Sequence, residues 1–186
     1  MTSDQQPTTT STTHPVLKVL VISGSMGSGK TTVLGEASDL LSAADVHHAA
    51  IDLDGLALGR FPVPSHDELQ DRNLAALWRN YAAAGVTRLL IAEALDDDAK
   101  RQRLRRTIPG AKIVICRLKA TIETMQARVR LREPGLLQGQ FLARVAELEA
   151  SLDAHPLEDF IVVNDGRLIT DVAQEVLVRA GWLEAR

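Results

Sequence analysis

The chain has one cysteine, Cys116, so an internal disulfide is excluded. It has no apolar run near the roughly 18 to 20 residues that cross a bilayer, so no membrane partner is expected. It has no surplus of positive charge. Lys and Arg number 21 against 24 Asp and Glu, and the formal charge of −3 gives no net attraction for nucleic acid or anionic lipid. Residues 1–15, MTSDQQPTTTSTTHP, lack the basic and apolar regions of a secretory leader. They also lack core formers, which predicts a disordered N-terminal tail and a cytoplasmic protein. The remaining 16–186 suffice for one domain with a sizeable core.

Short β-branched runs alternate with helical spacing along those residues. Val16 to Ser23, His47 to Leu53, Thr87 to Ala92, Lys112 to Leu118 and Phe160 to Val163 read as strands. Ile113, Val114 and Ile115 place Cys116 in a buried strand, as an inert thiol. Lys30 to Ala43 carries Val33, Leu34, Ala37, Leu40 and Leu41 at helical spacing. Ser65 is a candidate N-cap for a helix with Leu69, Leu74, Leu77, Trp78 and Tyr81 on one face, stopped by Gly85. Further helices are expected over Asp96 to Thr107, Thr121 to Arg132, Gln140 to Leu152 and Thr170 to Ala180, the last with Gly181 as its stop. Strands alternating with helices imply right-handed crossovers and an α/β fold, with a five-stranded parallel sheet covered on both faces.

Between the first strand and the first helix stands GSMGSGKTT: Gly24, Ser25, Met26, Gly27, Ser28, Gly29, Lys30, Thr31 and Thr32. It satisfies G-x-x-x-x-G-K-[ST], the Walker A phosphate loop, in the required strand-loop-helix context. Its glycines allow a tight turn whose amides converge on an anion, and the helix beginning near Lys30 adds its positive end. This is a nucleotide-binding reading of all nine residues, with Lys30 on the β- and γ-phosphates of ATP and the Thr31 hydroxyl on Mg²⁺. No N-K-x-D tetrad for guanine follows, and the chain is short for an AAA-type machine.

The second strand closes in Asp52-Leu53-Asp54-Gly55. The carboxyl end of a strand in such a sheet is where ligands sit. Asp52 can take the proton of an attacking hydroxyl or hold Mg²⁺ through water, and Asp54 can bind substrate hydroxyls. Phosphoryl transfer requires such a kit of positioned nucleophile, metal and positive charge.

A phosphate loop on the first strand with D-x-D closing the second resembles the shikimate and gluconate kinase group of nucleoside-monophosphate-kinase-like enzymes. It is similar also to adenylylsulfate kinase and chloramphenicol phosphotransferase, the latter through IDLDGLALGRFP (51–62) in particular. The resemblance spans most of Val16 to Trp182. It implies a three-layer P-loop fold with a short helical lid, and an ATP- and Mg²⁺-dependent kinase acting on a small hydroxylated molecule. It also implies that RLLIAE (88–93) is the acidic strand of the nucleotide site, with Glu93, in place of the more usual aspartate, toward the metal. RVRLREPGLL (128–137) resembles the arginine-rich lid, with Arg128 toward nucleotide and Arg132 toward the transferring phosphoryl group. Asn164 and Asp165, after the last strand, match the loop that borders adenine, largely through backbone atoms.

Arg60, Arg72 and Arg79 are candidates for the acceptor pocket, with Arg60 and Arg79 taken as substrate-binding. His47 and His48 lack a third metal ligand nearby and read as strand edge. A nucleotide-binding regulatory ATPase acting through a protein partner is the alternative reading. A nucleic-acid-end kinase requires a basic groove, for which the chain offers a short arginine cluster. The sequence is compatible with a monomer or a homodimer and does not name the acceptor: it lacks D-G-D-N and the full shikimate or gluconate substrate set.

Overall fold

In a computed structural model, residues 17–62 and 65–185 are described. The expectation for the tail, residues 1–15, lies outside the described residues. The element order is β1 (Lys18–Ser23), α1 (Lys30–Ala43), β2 (Ala49–Asp52), a 3₁₀ turn (Leu53–Ala57), α2 (His66–Ala83), β3 (Arg88–Ala92), α3 (Asp98–Thr107), β4 (Lys112–Lys119), α4 (Ile122–Arg132), α5 (Gln138–Ala154), β5 (Phe160–Val163) and α6 (Ile169–Arg179). The five strands form one sheet in the order β2-β3-β1-β4-β5, and every neighbouring pair is parallel.

β1 is the central strand because its side chains are apolar on both faces. Leu20 and Ile22 pack with α1 and α6 residues such as Val33, Leu41, Val172 and Val176. Val19 and Val21 pack on the other face with Leu74 of α2 and Leu104 of α3. Trp78 and Tyr81 pack against this second cluster. Cys116 is fully buried, and desolvation pushes its thiol up to about 12. A third cluster, built on Met125, Val129 and Val145, joins α4 to α5 and includes Met26 of the phosphate loop.

Local chemistry sets the element ends. β2 is shorter than the expected His47 to Leu53, and just ahead of it the His48 ring bonds Ser38 Oγ and Val46 O, each at 2.8 Å. Leu53 leaves the strand for the 3₁₀ turn, capped by Asp52, which accepts from Asp54 N. Ser65 caps α2 by accepting from Glu68 N. α3 begins at Asp98, two residues later than the sequence predicts, because Asp97 accepts from Lys100 N. α5 begins two residues earlier than Gln140 and runs on to Ala154.

This strand order determines where a ligand can sit. The chain leaves β1 toward α1 on one face and leaves β3 toward α3 on the other. The β1 and β3 carboxyl ends therefore flank the crevice at the topological switch point. The phosphate loop follows β1, and Glu93 follows β3.

Candidate active site

The phosphate loop is clamped from behind. Gly24 and Gly27 have φ of 144° and 76°, in the region that favours glycine. A Cβ at Gly24 would lie 2.6 Å from Leu118 O, and one at Gly27 would run into the Met125 carbonyl. The loop thus rests directly on backbone of the β4 end and α4. Ser25 Oγ donates to Val145 O of α5 at 2.9 Å. Asn164 Nδ2 donates to Ser28 O at 2.7 Å. The Arg128 guanidinium donates to Gly27 O at 3.2 Å and to Asn164 O at 2.8 Å. Arg128 and Asn164 therefore hold the loop's Gly27 and Ser28 carbonyls, while the Ser28 amide donates to Ser25 O at 3.2 Å. Asp165 accepts from Thr121 N at 2.7 Å, joining the loop after β5 to the start of α4.

Lys30 Nζ donates to Gly24 O at 3.0 Å and Ser25 O at 3.2 Å. Desolvation lowers its pKa, against the opposing pull of Asp54, Glu93 and Asp52. Thr31 Oγ1 donates to Asp52 Oδ2 at 2.6 Å, and Asp52 Oδ1 accepts from Asp54 N at 3.2 Å. Magnesium is held by one or two protein oxygens together with substrate phosphates, so this hydroxyl-carboxylate pair fits it. Among the described residues, no group of three or more His, Cys, Asp or Glu forms a metal cluster of its own.

Glu93 is partly buried and accepts from Ala94 N at 2.9 Å. Desolvation, reinforced by the nearby Asp54 charge, raises its carboxyl to about 7. Binding a cation there would oppose both effects.

Two cavities meet at these residues. One is lined by Met26, Gly27, Gly29, Lys30, Thr31 and Thr32 with Asp54 and Arg132. The other is a cleft of about 190 Å³ between the 3₁₀ turn, α2 and α3. Asp54 and Glu93 line it together with Asp67, Gln70 and Asp71 of α2 and Lys100 and Arg103 of α3. Asp54 lines both cavities.

The structure thus brings together the phosphate loop, Asp52, Asp54, Glu93, Arg128, Arg132 and Asn164. Arg132 reaches the nucleotide-side cavity while its Nε also bonds Glu133. Asp165 bonds Thr121 N and lines neither cavity. Arg60 and Arg79 are exposed and line neither cavity, and Arg79 lies two helical turns beyond Asp71 on α2. The sequence reading missed the α2 and α3 walls. Their signal is present as Asp67, Gln70, Asp71 and Leu74 at i, i+3, i+4 and i+7, opposite Lys100, Arg103 and Leu104.

The same architecture occurs in solved structures. A gluconokinase from Sinorhizobium meliloti superposes with a TM-score of 0.59 at 18% identity, covering 90% of this chain and 93% of that one. The shikimate kinase from Acinetobacter baumannii, solved with shikimate, gives 0.60 at 16% identity, covering 92% and 97%. The chain has the fold of the P-loop small-molecule kinases. The APS kinase CysC of Mycobacterium tuberculosis, solved with AMPPNP and APS, has this fold too, with a TM-score of 0.60 at 20% identity, covering 88% and 97%. No family model and no curated protein matches the chain in sequence. No helix among the described residues is long and apolar enough to cross a membrane.

Proposed function

We propose that this chain is an ATP- and Mg²⁺-dependent phosphotransferase that moves the γ-phosphoryl group to a hydroxyl of a small molecule. The observation that carries this reading is Asp54, which lines both the phosphate-loop cavity and the adjoining cleft. An acceptor in the cleft would meet the nucleotide at that carboxylate.

The surroundings of the two aspartates support different roles for them. Asp52 is already engaged by Thr31 Oγ1 and by Asp54 N and does not line the cleft. It suits the metal side of the site. Asp54 is exposed and lines both the cleft and the phosphate-loop cavity, so it suits the acceptor hydroxyl. The acceptor oxygen forms a bond to the γ-phosphorus as the bond to the β–γ bridging oxygen breaks, ADP departs, and Asp54 takes the hydroxyl proton. Bound Mg²⁺ supplies positive charge to the phosphates. Lys30 and Arg132 add theirs from the protein, preorganised by the clamped loop. The hairpin carrying Arg132 also shields the site from water, which would otherwise accept the phosphoryl group.

Acceptor-dependent ADP release, measured with a panel of hydroxylated metabolites, tests the reading. Asp54→Asn should lower the stimulated rate by roughly 10²- to 10⁴-fold, the range of a general base, with Mg·ATP affinity little changed. Asp52→Asn should raise the Mg²⁺ concentration needed for half-maximal rate. An Asp54→Asn protein with the wild-type stimulated rate would remove Asp54 from the chemistry. ATP turnover indifferent to every small hydroxyl compound but stimulated by a protein would favour the regulatory ATPase instead.

A further inference from the structure

The cleft beside the phosphate loop also carries information about its occupant. Four carboxylates line it, those of Asp54, Asp67, Asp71 and Glu93, against two cations, Lys100 and Arg103. Both cations are already committed. Lys100 Nζ pairs with Asp96 Oδ1 at 2.5 Å and donates to Ala94 O at 3.1 Å. Arg103 donates from Nε to Asp71 Oδ2 at 3.1 Å, from NH2 to Asp71 Oδ1 at 3.2 Å and to Asp67 O at 3.2 Å, and from NH1 to Asp67 Oδ2. A guanidinium has five N–H donors in a fixed fork. Four contacts on Arg103 leave no edge on which an incoming carboxylate can bind in bidentate fashion. The two carboxylates nearest the phosphate loop are differently placed. Asp54 makes no side-chain hydrogen bond or ion pair among the described contacts, and Glu93 accepts from the amide of its own neighbour. The cleft walls otherwise offer the Gln70 amide and the apolar side chains of Leu53, Leu74, Leu95 and Leu104.

Resting on the phosphotransfer reading, we propose that the acceptor is a hydroxyl compound carrying a protonated amine, not a hydroxy acid, and that the Asp67–Asp71–Arg103 cluster determines this choice. The two aspartates act as specificity residues by neutralising the guanidinium that would otherwise recruit an anion. The carboxylates of Asp54 and Glu93, neither of which is held in an ion pair among the described residues, line the side of the cleft that receives the ammonium group. A carboxylate in the same place would face them while both cations of the cleft walls, Lys100 and Arg103, are already paired.

Two matched sets of acceptors test this: serinol, glycerol and glycerate, and glucosamine, glucose and glucuronate. Each set keeps the carbon skeleton length and changes the charge from positive through neutral to negative. Acceptor-stimulated ADP release gives kcat/KM for each, and calorimetry on the same sample gives Mg·ATP affinity. The expected result is a preference of about tenfold or more for the amine over the neutral member, with the acid below both, since one opposite charge within a few ångströms is worth on the order of tenfold. That preference should shrink as ionic strength rises. Asp71→Asn releases one side of Arg103 and should raise kcat/KM for the acids while lowering the amine-to-acid ratio. Equal use of amine and neutral members, or a preference for the acids, overturns the inference and leaves the phosphotransfer reading standing. An unchanged amine-to-acid ratio in a folded Asp71→Asn protein overturns the role given to the cluster. Tight Mg·ATP binding with no stimulation by any acceptor overturns the phosphotransfer reading, and the inference with it.

Discussion

Glu93 offers the sharpest physical test of the site, because its effect on stability has a definite sign. Its carboxyl is raised from the ordinary 4.5 to about 7, first by desolvation and then by the Asp54 charge. The native state therefore binds more protons than the unfolded chain between those two values, so this group's contribution to stability falls as pH rises through the interval. The cost of holding the ionised carboxylate is about 1 kcal/mol at pH 5 and about 3 kcal/mol at pH 8, at roughly 1.4 kcal/mol per pH unit. Glu93→Gln keeps the oxygen that accepts from Ala94 N and removes the charge. In the absence of metal and nucleotide, the variant should be more stable than wild type by those amounts. Urea denaturation of both proteins at pH 5 and pH 8 measures them, and comparing the two at each pH cancels every other titrating group. Thermal midpoints should diverge by about 6 to 12 °C at pH 8 for a chain of this length. An equal difference between the two proteins at both pH values would refute the argument that desolvation governs Glu93.

Lys30→Ala should preserve the fold and cost about 3 to 4 kcal/mol of transition-state stabilisation, read as the loss of kcat in the acceptor-stimulated assay. Asn164→Ala removes the bond to Ser28 O and should destabilise by about 1 to 3 kcal/mol with weaker ATP binding. Asn164→Asp should do worse, because an acceptor then faces that carbonyl. Calorimetry and thermal melts on the pair give the order, and an Asp variant better than Ala would show that the contact is not what holds the loop. Arg117 is 2% exposed and pairs with Glu149 Oε1 at 2.7 Å and Asp153 Oδ1 at 2.9 Å. Glu149→Ala should cost about 3 kcal/mol in denaturant titration, the low end for an uncompensated buried charge, since Asp153 remains in contact.

Much of this protein is determined locally and so is legible in its sequence. The phosphate loop is contiguous, and its glycines, lysine and threonine must stand in one order between a strand and a helix. The strands around β1 are apolar on both faces, which already implies a covered parallel sheet. Ser65 and Gly181 announce helix ends through chemistry confined to one turn. Asp52 and Asp54 stand out as site candidates because a strand's carboxyl end is a short, readable place.

Tertiary structure decided what depends on distant partners. Arg128 reads in sequence as part of an arginine-rich helix, but its guanidinium bonds Gly27 O and Asn164 O, about one hundred residues back and 36 ahead. Asp52 and Asp54 look alike in sequence, but Thr31, 21 residues away, bonds Asp52, and Asp54 lines the cleft. Arg60 and Arg79 are as basic as Arg103 in sequence, yet α2 turns Asp67 and Asp71 toward Arg103 and leaves Arg79 exposed. Charge in a sequence is a property of one residue. Whether that charge is free to meet a ligand depends on which opposite charge the fold places beside it, and that is decided by the packing of α2 on α3.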